Sequence, residues 1–189
     1  DPERALVDYD AAIKRDPAYV RADAKLDAAV EDLVDGSFFN SGQSCCGIER
    51  IYVHEDVYAD FVEGFVAESR NWTLGDPTRV DTVMGPMAQP RFADFIREQK
   101  AEALRKGATA HLGTRDERDV AGSPYLPVEV LTDVDHQMSV MREESFGPIV
   151  GIMKVRGDED AIALMNDSPY GLTASIWTRD TERAIRIGD

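Results

Sequence analysis

The sequence predicts an α/β domain of three layers, with helices on both faces of a mainly parallel or mixed β-sheet. Amphipathic helical stretches alternate with short apolar stretches rich in β-branched residues, as in proteins whose strands are joined by helical crossovers. The 189 residues are enough for one domain with a sizeable core. Apolar residues make up 43% of the chain and charged residues 30%, which is typical of a globular protein.

The first predicted helix and strand lie on either side of the two cysteines of the chain. Apolar residues recur at helical spacing over residues 26–34, and Asp23 precedes them as a candidate N-cap. Residues 48–53 are apolar and β-branched enough to form a strand. A second amphipathic helix begins at Tyr58, and the turn Gly75-Asp76-Pro77 closes this region.

A third helix and a short strand are predicted next. The helix is indicated by the spacing of Phe92, Phe95, Ile96, Ala103 and Leu104. Gly107 closes the helix, a strand is expected at 108–112, and a polar loop follows at 113–123.

The last third of the chain repeats the alternation. Residues 149–155 form a dense apolar run, which is typical of a strand buried within a sheet. Asp158 is the predicted cap of a helix that carries Ile162 and Met165. Another strand is expected at 173–177, and Asp180 begins the last helix.

Charge and cysteine content limit the partners and the setting. The formal net charge is −15, so an anionic membrane surface or a nucleic acid would be repelled, and we expect neither as a partner. No run approaches the roughly 20 apolar residues of a membrane span. The two cysteines are adjacent and provide no disulfide framework, which predicts a reducing, cytoplasmic setting.

The stretch Phe38-Phe39-Asn40-Ser41-Gly42-Gln43-Ser44-Cys45-Cys46-Gly47 holds the strongest candidate for chemistry. A cysteine taken alone is more often a small buried hydrophobic residue than a nucleophile. Here glycines bracket the pair, which suits a tight backbone and the close approach of a ligand. We therefore take Cys45 as the candidate nucleophile and expect Cys46 to pack or to be a bystander. Gln43 and Ser44 are expected to shape the turn.

The histidines do not supply a second type of site. His54, His111 and His136 belong to separate predicted elements and show no spacing typical of metal ligands. None lies in a recognisable motif for the base of a cysteine protease. We expect all three at the surface, and neither a protease nor a metal site.

The cysteine segment resembles the active-site segment of aldehyde dehydrogenases. A second match, Glu143-Glu144-Ser145-Phe146-Gly147-Pro148, follows about a hundred residues later. Three further matches are Asp16-Pro17-Ala18-Tyr19-Val20, Met84-Gly85-Pro86-Met87 and Asn166-Asp167-Ser168-Pro169-Tyr170-Gly171-Leu172. The resemblance runs from about residue 16 to 189 and implies a fragment of that family's catalytic domain.

The resemblance implies a reaction and a role for three residues. The thiolate of Cys45 adds to a small-molecule aldehyde, hydride passes to NAD or NADP, and water hydrolyses the thioester to a carboxylic acid. The backbone N–H of Cys45 would form part of the oxyanion hole. Glu144 would bind the ribose next to the nicotinamide, and Phe146 would pack beside the nicotinamide ring.

The sequence also departs from the family pattern. The family's Glu-Leu-Gly-Gly-Lys segment, whose glutamate is the base for thioester hydrolysis, corresponds here to Ala11-Ala12-Ile13-Lys14-Arg15. The base position is thus Ala11. The dinucleotide-binding domain and the asparagine of the oxyanion hole also fall outside the matching region. We therefore expect little or no turnover from this chain alone, because hydride transfer needs a held cofactor and deacylation needs a base.

Residues 1–22 form a separate predicted unit, a helical segment of uncertain origin, before a truncated catalytic domain at 23–189. Ala5, Tyr9, Ala12 and Pro17 fall at the spacing of a tetratricopeptide-repeat helix, although an ordinary amphipathic helix explains them as well.

Two functional hypotheses follow. The chain either retains aldehyde dehydrogenase thiol chemistry, or is a non-catalytic scaffold, excised, fused or designed, that keeps the fold only. Loss of the dinucleotide-binding domain would expose apolar surface that the missing segments normally cover, so we expect self-association or a partner that covers this surface.

Overall fold

The computed structural model describes residues 17–113 and 116–188. Within them the strands are β1 (Pro17–Val20), β2 (Arg50–His54), β3 (Thr109–Ala110), β4 (Glu129–Thr132), β5 (Ile149–Val155) and β6 (Ser175–Trp177). The α-helices are α1 (Leu26–Phe38), α2 (Tyr58–Ser69), α3 (Pro90–Arg105), α4 (Asp158–Asn166) and α5 (Thr181–Gly188).

The strands form one mixed sheet in the order β3-β4-β5-β2-β1-β6. Every neighbouring pair is parallel except β3 with β4, which is antiparallel. The register places Pro17 beside Arg50 and Arg50 beside Gly151, so the central strands begin together at one edge. The predicted mainly parallel or mixed sheet is confirmed.

Alternating side chains divide the core into two halves. On β1, Ala18 and Val20 belong to a cluster that includes Leu33 of α1 and Phe65 of α2. Tyr19 points into the opposite cluster. That second cluster is completed by Ile96 of α3, Met165 of α4 and Ala184 of α5. Helices therefore cover both faces, and the predicted three-layer arrangement is confirmed.

The prediction for the start of the chain needs correction. Residues 1–16, with the tetratricopeptide-like positions Ala5, Tyr9 and Ala12, lie outside the described residues. The predicted helical segment 1–22 also included Pro17–Val20. In the structure these residues form β1, a fully buried strand between β2 and β6. Four residues give too short a pattern to distinguish a strand from a helix, and pairing on both sides decides it. A domain boundary at residue 23 would therefore separate strand β1 from the sheet to which it belongs.

The third helix has the predicted span but a different buried face. Phe92, Phe95 and Leu104 are partly exposed, at 41%, 37% and 42% of their surface. The buried positions are Ala93, Ile96, Gln99 and Ala103. The phenyl groups of Phe92 and Phe95 are left on the more exposed side of the helix.

The structure also differs from prediction in having an additional strand and in the residue that caps α1. Strand β4 (Glu129–Thr132) was not predicted, because four buried residues carry no alternation. Asp23 is not the N-cap of α1, whose N-cap is Lys25. The Asp23 carboxylate instead accepts hydrogen bonds from the Thr178 hydroxyl, at 2.8 Å, and from the Arg179 N–H, at 3.0 Å.

The carboxyl ends of β1 and β6 are joined by charged and hydroxyl-bearing side chains, which we call the carboxyl-edge network. It comprises Tyr19, Arg21, Asp158, Thr178 and Arg183. Asp158 was predicted to cap α4 but is its first residue, and Gly157 is the N-cap. The Asp158 carboxylate accepts hydrogen bonds from Tyr19 of β1, from Arg21 directly after β1 and from Arg183 of α5. None of the helices in the described ranges combines the length and apolar character that crossing a membrane requires.

Candidate functional site

The cysteine segment begins with a left-handed turn at the end of α1. Asn40, Ser41 and Gly42 have φ angles of 53°, 59° and 68°, a conformation that L-residues rarely adopt in succession. Side chains hold the turn: the Asn40 amide donates to the Gln43 carbonyl at 3.0 Å, and the Gln43 amide donates to the Asn40 carbonyl at 3.1 Å. Gln43 thus shapes the turn, as predicted.

Both thiols are exposed and free. Exposure of Cys45 argues against the alternative in which it is a small buried hydrophobic residue. Exposure also corrects the expectation that Cys46 packs. The Sγ atom of Cys46 lies 3.3 Å from the Ser44 hydroxyl oxygen. Cys45 therefore lies on the surface, directly after a turn with a fixed backbone.

The second predicted segment touches this turn through its backbone. A Cβ atom added to Gly42 would lie 2.2 Å from the Gly147 carbonyl oxygen. A Cβ atom added to Gly147 would in turn lie 2.0 Å from Cδ1 of Ile96. The Gly42 position has no room for a side chain, because backbone blocks it, whereas a side chain at Gly147 would require Ile96 of α3 to move. The fold therefore brings the two segments together, although about a hundred residues separate them.

A buried carboxylate provides a second link between the same segments. Glu49 is 8% exposed, and its two carboxylate oxygens accept the N–H groups of Phe146, at 2.8 Å, and Ser145, at 3.1 Å. Phe146 has a φ angle of 50° and its side chain is 39% exposed. Glu144 is exposed on the same loop. The loop therefore presents Glu144 and Phe146 to solvent from a held backbone.

The segment at residues 84–87 is tied to the same place. The Ser41 hydroxyl donates to the Gly85 carbonyl at 2.8 Å. The Ala88 N–H donates to Oε1 of Gln43 at 2.7 Å. Met84 and Met87 are buried below. Three segments that are far apart in sequence thus meet at the turn that precedes Cys45.

All three segments lie at the amino edge of the sheet, which we define as the edge where β2 and β5 begin. Cys45 precedes β2, and Phe146 precedes β5 by three residues. Open α/β sheets usually bind ligands at the carboxyl ends of their strands. Here those ends carry the carboxyl-edge network, so the candidate site is on the opposite edge.

Glu49 is the residue that sequence reasoning missed. Its only signal was an acidic residue directly before an apolar strand, which usually means a solvated charge. Its role depends on a loop almost a hundred residues later, and no local pattern reports that contact. Ala11, the position of the family's base, lies outside the described residues.

The histidines are less exposed than predicted. The hydrogen bonds that the structure describes for them are to groups other than the two thiols. Nε2 of His136 lies 2.9 Å from the Tyr52 hydroxyl, and Nδ1 lies 2.7 Å from the Asp167 carboxylate. Burial raises the pKa of Tyr52 to about 12. His111 bonds Thr132, and His54 is half-buried. The fold draws these side chains into polar contacts that the sequence does not show. Among residues 17–113 and 116–188, no three His, Cys, Asp or Glu side chains are grouped as metal ligands.

Comparison with known proteins matches the geometry. The model of the aldehyde dehydrogenase family matches residues 15–189. Succinate-semialdehyde dehydrogenase (NADP(+)) 1 of Mycobacterium tuberculosis (strain ATCC 25618 / H37Rv) is 37% identical over 174 residues, covering 92% of this chain and 38% of that protein. Salicylaldehyde dehydrogenase of Pseudomonas putida is 35% identical over 175 residues, covering 92% and 35%.

Solved structures agree with the sequence relatives. Lactaldehyde dehydrogenase from Escherichia coli superposes with a TM-score of 0.85 and 36% identity, over 92% of this chain and 36% of that one. Betaine aldehyde dehydrogenase from Staphylococcus aureus, in complex with NAD+, gives a TM-score of 0.85 with 29% identity, over 92% and 35%. The chain thus spans little more than a third of its relatives' length. With the family model matching residues 15–189, the chain belongs to the aldehyde dehydrogenase family.

Proposed function

We propose that Cys45 is the nucleophile of an NAD- or NADP-dependent oxidation of an aldehyde to a carboxylic acid. The observation that carries this proposal is the contact between its turn and the loop of Glu144 and Phe146, made by Gly42 against Gly147. An exposed thiol, an exposed carboxylate and an exposed phenyl ring thus extend from two segments whose backbones are in contact. Thiolates add readily to carbonyl carbons, and a small molecule has access to all three groups.

The steps at Cys45 follow from thiol chemistry. Its thiolate adds to the aldehyde carbon, and the carbonyl oxygen becomes an alkoxide, which the backbone N–H of Cys45 can stabilise. Loss of hydride from that carbon leaves a thioester on the sulfur. Water then attacks the thioester, releasing the carboxylic acid and the thiol.

Glu144 and Phe146 suit a nicotinamide nucleotide by their chemistry. A carboxylate accepts hydrogen bonds from ribose hydroxyls, and a phenyl ring packs against a planar heterocycle. Both side chains extend from one loop whose backbone is fixed by Glu49 and by the contact of Gly147 with Ile96. The nucleotide, when bound, supplies the acceptor for the hydride.

We further propose that this chain alone gives little or no steady-state turnover. Water attack on a thioester needs a general base, and the position that corresponds to the family's glutamate is Ala11. The related proteins carry names that refer to succinate semialdehyde and salicylaldehyde, which differ in charge and in ring content. We therefore propose the substrate class, a small-molecule aldehyde, and no single substrate.

A single-turnover assay tests the reaction. Stoichiometric chain, a generic aldehyde and saturating NAD are mixed, and reduced nicotinamide is followed by absorbance. The expected result is a burst of about one equivalent, or less if occupancy is partial, without continued production, because acylation consumes one thiol. Mass spectrometry should find the acyl group on Cys45.

Cys45→Ser and Cys46→Ser form a matched pair of variants. Both change an exposed thiol to a hydroxyl, but only the first should abolish the burst. Absence of any burst from the wild-type chain would favour the non-catalytic scaffold. Continued production of reduced nicotinamide would overturn the proposal that deacylation is lost.

We also propose self-association and a reducing, cytoplasmic setting. Phe39 and Leu172 are 62% and 52% exposed, and Phe92 and Phe95 add two partly exposed rings on α3. Two free, exposed thiols stay reduced where the surroundings are reducing. Light scattering tests the first point, and a monodisperse monomer would contradict it.

A further inference from the structure

We propose that Glu49 is a positioning residue for the loop that carries Glu144 and Phe146. The inference rests on the proposed function of that loop. Glu49 follows Cys45 by four residues and is anchored in the sheet, where its carbonyl accepts the N–H of Gly151 at 3.2 Å. Its side chain therefore extends from a rigid strand start and not from a mobile loop.

The carboxylate holds two successive backbone groups. One oxygen accepts the Phe146 N–H at 2.8 Å, and the other accepts the Ser145 N–H at 3.1 Å. Hydrogen bonds to an ionised acceptor are about twice as strong as neutral ones, and successive N–H groups form a natural site for an anion. A single side chain thus satisfies two successive backbone donors and fixes the orientation of the peptide between them.

Phe146 needs such support because of its backbone. Its φ angle of 50° is in the left-handed region, which is unfavourable for a residue with a Cβ atom. Without a hold on its N–H, the residue would relax to a negative φ angle and turn its ring away from the present direction. Glu49 therefore sets where the ring points, and through the same loop where Glu144 lies.

Charge and length are both required by this geometry. A glutamine has one acceptor oxygen, and its NH₂ group would face an N–H donor, so one of the two bonds is lost. An aspartate keeps the charge but is one methylene shorter. Glu143 is the matched control, since it is exposed on the same loop.

The experiment compares wild-type chain with Glu49→Gln, Glu49→Asp and Glu143→Gln. Amide hydrogen exchange at Ser145 and Phe146, measured by NMR, should be about tenfold or more faster in Glu49→Gln and unchanged in Glu143→Gln. In the burst assay, the NAD concentration giving half-maximal rate should rise about tenfold in Glu49→Gln, while the rate of Cys45 alkylation by iodoacetamide stays within about twofold. Glu49→Asp should fall between wild type and Glu49→Gln. A variant that only loosened the fold would change alkylation as well.

The two arms separate the possible failures. Unchanged exchange at both amides in Glu49→Gln would overturn the inference, whatever the burst assay shows. Faster exchange with an unchanged NAD dependence would overturn the positioning role while leaving the contact intact. If wild type gives no burst, the proposed function fails, and the exchange arm still decides whether Glu49 holds the loop. If the variants do not fold, hydrogen exchange of the wild-type chain decides. Slow exchange at both the Ser145 and Phe146 amides would support the inference, and fast exchange at both would overturn it.

Discussion

The two edges of the sheet are built in different ways. At the amino edge, contacts with the backbone predominate: left-handed residues, the close approach of Gly42 to the Gly147 backbone and one buried carboxylate bring the Cys45 turn and the Phe146 loop together. At the carboxyl edge, side chains do the joining, and Asp158 accepts hydrogen bonds from Tyr19, Arg21 and Arg183 at 2.9, 2.9 and 2.6 Å.

The protonation of the carboxyl-edge network follows from its contacts. Burial opposes the charged form of Asp158, but hydrogen bonds from Arg183, Arg21 and Tyr19 outweigh it and lower the pKa of the carboxyl group. Burial and the neighbouring Asp158 charge raise the pKa of Tyr19 well above its usual range. At neutral pH Asp158 is therefore ionised, and the Tyr19 hydroxyl keeps its proton.

The difference teaches why a reactive group is placed at the amino edge. Ion-paired side chains satisfy each other and leave no group to spare for a ligand. A backbone-built edge fixes the chain and leaves the side chains of Cys45, Glu144 and Phe146 on the surface. These exposed side chains are accessible to a small molecule.

A glycine from each edge provides the sharpest test of this comparison. Gly42→Ala places a Cβ atom on the Gly147 backbone and strains a φ angle of 68°, so we expect a loss of about 3–4 kcal/mol in the free energy of unfolding. Gly157→Ala at the carboxyl edge meets nothing within 4 Å and should cost about 1 kcal/mol or less. Urea denaturation measures both. Equal losses would break the comparison.

Removing the charge of Asp158 tests the carboxyl edge directly. Asp158→Asn keeps the shape but weakens the bonds from Arg21 and Arg183, and we expect a loss of about 2–3 kcal/mol at pH 7. Asp160→Asn on the same helix is the control, because its partner Arg156 is highly exposed, and it should change stability far less. A similar loss in both variants would show that the network contributes no more than a surface pair.

The same variant predicts a pH dependence. Because the folded-state pKa of Asp158 is lowered, its contribution is fully present above the unfolded pKa of about 4 and disappears as the pH falls through the folded value. The stability difference between wild type and Asp158→Asn should therefore be constant from pH 5 to 7 and shrink as the pH falls below about 4. Denaturation curves at a series of pH values measure it. A difference that grows on acidification would contradict the assigned direction.

The smallest expected effects lie within the amino edge. The Ser145 hydroxyl oxygen is buried and has no hydrogen-bond partner, so Ser145→Ala should raise the free energy of unfolding by about 1 kcal/mol or less. Ser41→Ala removes the bond to the Gly85 carbonyl and should lower it by about 1 kcal/mol. Thermal denaturation compares the two. A clear loss in Ser145→Ala would mean that its hydroxyl has a role in holding the loop.

Periodicity predicted much of the fold, but it failed where the pattern was short or where the exposed side of a helix was apolar. The run at 149–155 is long and apolar enough to identify β5, and helical spacing identified α1, α2 and α3. Strands β1 and β4 have four residues each, all buried, and carry no alternation. The spacing of Phe92 and Phe95 helped to identify α3, but apolar spacing does not report which side of a helix is covered, and both rings are partly exposed.

The sequence by itself determined the class of fold and, through the two motifs, the identity of Cys45, Glu144 and Phe146 as candidate site residues. Such information is local, since it depends on residue type and on spacing within one segment. Only the tertiary structure decided that the motifs touch, that they do so at the amino edge, and that Glu49 links them. Contacts between residues almost a hundred positions apart depend on the register of the central strands, and no local pattern encodes that register.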